Sequence, residues 1–409
     1  MKAARAESAA SCRGWARGTV AACALVGLAP AACINSAIPE RPIIDAAALG
    51  PADVPVVATP DASHANDDND DNDAMTLDAT DASAVDTGAP LPPGGVNAVL
   101  RGAGCGKALP PQTVTTIPGS PTGYTRYTVM LTGETLEGND PARSGQRTFW
   151  VRVPADYNPN RAYRVVYLGQ PCGAAYAANT STYPLFQERL GGTEQAIYVA
   201  LDIPVNQITM DCYDTHAGAG SQEWEAFQLF QDFVDGHYCV DNNRVFVAGH
   251  STGGWLANMW GCYFAGDGEA PASNPAAPRK FAPKYHIRAE GAVTSGEPDN
   301  NPLCNGPVAA LWIHDLEDAG NPIAGAYLAC DRALRMNGCV NTARCDDPNA
   351  KTTPWHHEIA GLEICNQYSG CPADYPVVFC KSDGFGHSDQ GQRAVTAFGV
   401  FFNLLNPAP

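Results

Sequence analysis

The stretch from Arg244 to Gly261 constrains this chain more than any other. Arg244-Val-Phe-Val-Ala248 is a short apolar run that reads as a buried strand, and it passes without a linker into Gly249-His250-Ser251-Thr252-Gly253-Gly254. Thr252 to Gly261 then reads as a helix. A strand that turns into a helix this abruptly needs glycines at the flanks, because strand and helix approach too closely for side chains there. The serine at the apex stands exposed, and the helix N-terminus directs its amides at whatever Ser251 meets. Such a serine is a nucleophile candidate.

The surrounding sequence places this turn in an α/β domain. Strand patterns at 147–153, 163–168, 196–201, 308–313 and 375–379 alternate with helix patterns at 223–238, 252–261 and 394–405. The alternation implies a mostly parallel sheet flanked by helices. On the helix at 223–238, Trp224, Phe227, Phe230 and Val234 share one face. The globular pattern begins at about Ala98, so 98–409 is read as the catalytic domain. Before it, 1–33 reads as a signal peptide: Lys2, Arg5, Arg13 and Arg17 precede an apolar run from Thr19 to Ala32 that is too short to span a bilayer. Ala31-Ala32-Cys33 resembles the end of a bacterial lipobox, although Pro30 stands where Leu is usual. Secretion and a lipid anchor at Cys33 are therefore both open. Residues 34–97 are rich in Ala, Pro, Asp and Thr, and 66–73 are all Asn or Asp. Such a segment buries too little apolar surface to fold and reads as a disordered tether. It lacks the Gly and distal Glu of a calcium loop.

Cysteine usage points to an oxidising compartment. Of 15 cysteines, Cys12, Cys23 and Cys33 lie in the leader, and the rest run from Cys105 to Cys380 with no C-x-x-C pair. Scattered cysteines of this kind form disulfides outside the cytoplasm rather than zinc or redox sites. No metal and no cofactor are expected. The formal net charge of -18 excludes nucleic acid as a partner and gives no attraction to anionic lipid.

A nucleophilic serine needs a base and an orienting acid. His387, in Gly384-Phe385-Gly386-His387 beyond the last strand pattern, is the base candidate, since imidazole takes and returns a proton near neutral pH. The acid should lie between them in sequence. Asp318 is chosen from the segment 314–322, with Asp315 and Glu317 as rivals that spacing cannot separate. All three choices follow predicted strands, so a parallel sheet brings them to one carboxyl edge. The oxyanion hole needs two backbone N–H groups. Thr252 supplies one; the other comes from the loop 169–173, where Pro171 has none and Cys172 or Gln170 must donate.

These motifs resemble the secreted feruloyl-esterase and polyhydroxybutyrate-depolymerase family of α/β-hydrolases. The likeness runs from Gly104 onward and is carried by Gly104-Cys105-Gly106-Lys107, by the strand and loop 165–173, by 239–254 around Ser251, by 314–322 and by 384–387. The resemblance implies an α/β-hydrolase fold and ester hydrolysis on plant cell-wall or polyester material. It places the nucleophile on Ser251, the acid on Asp318 and the base on His387, with Cys172 as the oxyanion donor.

The expected activity is that of an extracytoplasmic, monomeric serine esterase acting on a polymeric ester. Feruloyl or acetyl esters come first, polyhydroxyalkanoate second, and a catalytically silent surface binding protein is the alternative of another class. Tyr176, Tyr213, Trp255 and Phe385 are candidates to line an aromatic-binding cleft. Cys239 precedes the nucleophile strand and Cys262 follows its helix. A strand of about 20 Å up and a helix of about 15 Å down would let them meet as a disulfide. A Cys172–Cys212 bridge is also expected.

Overall fold

The computed structural model describes residues 76–77, 98–111, 123–173, 196–203, 212–265, 284–297, 304–340, 344–388 and 390–405. Residues 1–33, read above as a signal peptide, and Tyr176 lie outside them, Cys33 included. So do residues 34–97, read above as a tether, except Thr76–Leu77, which pair in parallel with Thr128 and Val129.

The long strands are β1 (Thr125–Leu131), β2 (Gly145–Arg152), β3 (Tyr163–Gly169), β4 (Ala196–Leu201), β5 (Val240–His250), β6 (Ala289–Val293) and β7 (Ala309–Asp315). Two short strands, β8 (Thr352–Pro354) and β9 (Cys365–Tyr368), precede β10 (Val377–Ser382). Every residue of β3, β4, β6 and β7 is buried. Continuous apolar runs such as Val165–Leu168 suit this position, because the middle of a parallel sheet is covered on both faces.

The strands lie in the order β1-β2-β4-β3-β5-β6-β7-β10-β9-β8. β2 is antiparallel to both its neighbours, and the six strands from β4 to β10 are parallel. β9 and β8 extend the far edge antiparallel. This is the α/β-hydrolase fold. The chain leaves β3 for β4 on one side and returns to β5 on the other. The crevice at the carboxyl ends of β3 and β5 is therefore the topological switch point, where ligands bind in open α/β sheets.

Side-chain alternation builds two cores. Val165, Tyr167 and Val247 face helices α1 (Glu223–His237) and α2 (Thr252–Tyr263), meeting Phe227, Phe230, Leu256 and Trp260. Val166, Leu168 and Phe246 face α4 (Gln392–Leu405), meeting Phe398 and Phe402. Helix α3 (Ile323–Met336) covers Trp312 and Phe379. α1 is tied down at its first turn. Glu223 pairs with Arg147 through two 3.0 Å bonds. Glu225 accepts the N–H groups of Thr132, Gly133 and Glu134.

All the cysteines from Cys105 to Cys380 are paired, but the expected Cys239–Cys262 bridge is not among the pairs. Cys239 bonds Cys105 and Cys262 bonds Cys304. The expectation rested on a strand starting at Arg244, whereas β5 starts at Val240. At roughly 3.3 Å per residue β5 descends about 36 Å from the elbow. At roughly 1.5 Å per residue α2 descends only about 18 Å. Cys239 therefore lies far below the end of α2. There the segment Gly102–Cys105 crosses it, with Gly102 N–H on Val240 and Gly104 N–H on Asp235. Gly104 is required at this crossing, since a Cβ on it would lie 2.4 Å from the Tyr238 backbone. The Cys172–Cys212 bridge is present. The remaining pairs are Cys330–Cys345, Cys339–Cys371 and Cys365–Cys380.

Candidate active site

Ser251 sits between β5 and α2 with φ 55° and ψ -123°, a left-handed backbone that a serine adopts only under constraint. The constraint is glycine packing. A Cβ on Gly249 would lie 2.3 Å from Gly253, and one on Gly253 would lie 2.2 Å from the carbonyl carbon of Gly169. Three backbones thus touch where the two loops of the switch point meet. Ser251 N–H donates to Val293 O (3.0 Å), and Ser251 O accepts from Gly254 and Trp255. As the first residue of α2, Thr252 has an amide with no acceptor inside the helix.

The histidine loop after β10 brings His387 to the serine. Nε2 of His387 lies 3.0 Å from Ser251 Oγ. Nδ1 lies 2.9 Å from Asp318 Oδ2 and 3.1 Å from Oδ1. Asp318 is buried after β7 and accepts the N–H groups of Gly320 and Asn321, both at 2.8 Å. Ser251, Asp318 and His387, remote in sequence, thus form one hydrogen-bonded chain at the carboxyl edge.

The rival acids occupy other positions. Asp315 is fully buried and holds the histidine loop, accepting from Ser382 Oγ (2.8 Å) and Phe385 N–H (3.0 Å). Burial pushes its carboxyl up, but the N–H of Phe385, the hydroxyl of Ser382 and the N–H of Glu317 outweigh it and hold the pKa below the ordinary 3.8. Glu317 is exposed. His314 is buried behind Asp318. Its Nε2 bonds Asn321 O at 2.8 Å and lies 3.6 Å from Asp318 Oδ2.

On the other side of Ser251, the loop after β3 is held by Tyr213. Gln170 N–H donates to Tyr213 Oη (3.1 Å), which donates to Leu201 O (3.1 Å). The adjacent Cys172–Cys212 disulfide is a second tie between the same segments. Gln170's amide is therefore engaged and Cys172 presents the next one. Tyr213 is buried and structural, contrary to its candidacy as a cleft residue. Trp255 is half-buried with its ring 5.2 Å from His216, and Phe385 is 48% exposed beside His387 with Arg393 stacked on it at 4.6 Å. Sequence reading missed Tyr213 as the clamp, Asp315 as the loop anchor, and the contacts of Asn321 and His314 around Asp318. A signal existed only for Asp315, which stood beside the chosen acid.

No family model matches the chain. It is 24% identical over 267 residues to feruloyl esterase D of Neurospora crassa, covering 62% of this chain and 78% of that one. It is 23% identical over 241 residues to a probable feruloyl esterase C of Aspergillus niger, covering 59% and 76%. Among solved structures, a ferulic acid esterase of Anaeromyces mucronatus aligns with TM-score 0.41 at 13% identity, covering 72% of this chain and 97% of that one. The likeness to feruloyl esterases carried by the motifs is thus also found over about 60% of this chain.

Proposed function

We propose that this chain is an extracytoplasmic serine esterase that cleaves feruloyl or acetyl esters on plant cell-wall polysaccharide. It is a carboxylic ester hydrolase. The observation that carries the mechanism is the His387 imidazole, hydrogen-bonded to Ser251 Oγ through Nε2 and to Asp318 through Nδ1.

In this reading Ser251 Oγ attacks the ester carbonyl while His387 Nε2 takes its proton. Asp318 fixes the tautomer with Nδ1 protonated and stabilises the imidazolium that forms. Its own orientation is held by the Gly320 and Asn321 amides. The N–H groups of Thr252 and Cys172 receive the developing oxyanion, and each such donor contributes about 3–4 kcal/mol of transition-state stabilisation. His387 returns the proton to the leaving alcohol, and water then releases the acid by the reverse sequence. The disulfides running from Cys105 to Cys380 support an oxidising compartment. The names of the curated relatives support ferulate as the acyl group, and the exposed Phe385 and half-buried Trp255 supply ring surface for it.

The test is a substrate panel on protein made in an oxidising compartment: a chromogenic ferulate ester, an acetylated xylan and a polyhydroxyalkanoate film. Release of ferulate or acetate with an intact film is expected. Clearing of the film alone would reassign the enzyme as a depolymerase. A fluorophosphonate probe that fails to label wild type, or labels Ser251→Ala equally, would make it a silent binding protein.

A further inference from the structure

Thr294 lies immediately beyond β6 with φ 44°, fully buried. A β-branched residue in the left-handed region is a genuine outlier, and such strain persists only where the surroundings over-determine it. Its surroundings are the three loops of the relay. The peptide between Val293 and Thr294 accepts Ser251 N–H at its oxygen (3.0 Å) and donates its own N–H to Ile313 O (2.9 Å). Thr294 O accepts from Asn321 Nδ2 (2.9 Å), and the Asn321 backbone N–H in turn holds Asp318 Oδ1. Thr294 Oγ1 donates to the carbonyl of Ser388, the residue after His387 (3.2 Å). One residue is thus joined to the nucleophile turn, the acid loop and the histidine loop at once.

The positive φ explains how. It rotates the two peptide planes flanking Thr294 so that one faces the elbow and the other faces Asn321. An ordinary strand conformation would carry the chain straight on and leave one of the loops unheld. We propose that Thr294 is a positioning residue for the Ser251–His387–Asp318 relay, setting the mutual distances of the three loops without touching substrate. The proposal rests on the serine-esterase reading for its kinetic consequence, but not for the geometry it asserts.

Two substitutions separate its features. Thr294→Val keeps the branched side chain and removes the bond to Ser388 O. Thr294→Ser keeps the hydroxyl. Misplacing catalytic groups by about 1 Å costs on the order of 100-fold, so Thr294→Val should lower kcat by about 10- to 100-fold with KM nearly unchanged. It should slow fluorophosphonate labelling in parallel and shift the downfield proton resonance of His387 Nδ1–H. Thr294→Ser should stay near wild type. A folded Thr294→Val with wild-type kcat overturns the proposal, as does a loss of kcat with an unmoved His387 resonance. If Thr294→Val does not fold, Asn321→Ala breaks the acid-loop arm instead: the same loss supports the proposal and wild-type kcat overturns it. If wild type shows neither turnover nor labelling, the esterase reading fails, while the resonance shift in Thr294→Val still decides the positioning claim.

Discussion

At the residue scale, the loops that carry Ser251, His387 and Asp318 are held by neighbouring groups, and Gly253 and His314 each support a prediction. Gly253 is where a side chain is least tolerable. Its added Cβ would lie 2.2 Å from the Gly169 carbonyl carbon and 2.8 Å from Gln170 N, all of it backbone that cannot swing away. Gly253→Ala should therefore push the loop carrying Cys172 from the serine. The expected cost is that of one oxyanion donor, a drop in kcat of about 100- to 1,000-fold, read with the same chromogenic ester. His314 bears on pH dependence. Burial holds its imidazole below the ordinary 6.5, against the opposing pull of the Asn321 carbonyl and Asp318. Below about pH 6.5 the unfolded chain therefore binds a proton that the folded chain does not, and stability falls as pH falls. Thermal unfolding of His314→Gln, which keeps a donor for Asn321 O, should show a shallower loss between about pH 6.5 and pH 5 than wild type does.

At the element scale, the decisive feature is how loops from different strands are tied together. The loop after β3 is bound to Cys212 and Tyr213 by a disulfide and a hydrogen bond. The double variant Cys172→Ser/Cys212→Ser should lose about 2–4 kcal/mol of stability. It should also lose kcat, because Cys172's own amide is then free to wander. A stability loss with unchanged kcat would remove Cys172 from the oxyanion hole. The same scale explains which elements sequence patterns missed. β6 contains Glu290 and Gly291, which no strand pattern favours. Glu290 is accommodated because Arg332 of α3 reaches it at 3.2 Å while also binding Glu297 at 2.7 Å. Gly291 is needed because a Cβ there would lie 2.7 Å from the Phe398 ring. By contrast, β4 is a uniform apolar run, β3 is one but for Arg164, and β5 is apolar above Arg244, so these were legible.

At the scale of the whole molecule, a net charge of -18 acts against compaction, and the disulfides act with the two cores to oppose it. The bridges are spread along the chain, from Cys105–Cys239 near the start of the domain to Cys365–Cys380 between β9 and β10. Each contributes about 2–4 kcal/mol, and for a domain of this size about 1 kcal/mol moves the melting midpoint by roughly 1.5 °C. Complete reduction should lower the midpoint by at least about 10 °C in a thermal scan. An unchanged midpoint would mean that the two apolar cores carry the fold by themselves.

Local chemistry was enough to mark Ser251 and His387 and to narrow the acid to Asp315, Glu317 and Asp318, because a nucleophile turn, a glycine-rich histidine loop and an acidic segment after a strand each leave a contiguous imprint on the chain. It was also enough for the layered α/β plan, since apolar runs and helical periodicity are local. Other outcomes depend on groups distant in the chain and came only with the packed sheet. The length of β5 decided that Cys239 meets Cys105 rather than Cys262. The approach of the loops after β7 and β10 decided that Asp318 faces His387 while Asp315 anchors the loop beside it. Residue spacing records distance along the backbone; which neighbouring carboxylate turns toward an imidazole is set by the backbone amides each one captures, and those belong to other segments.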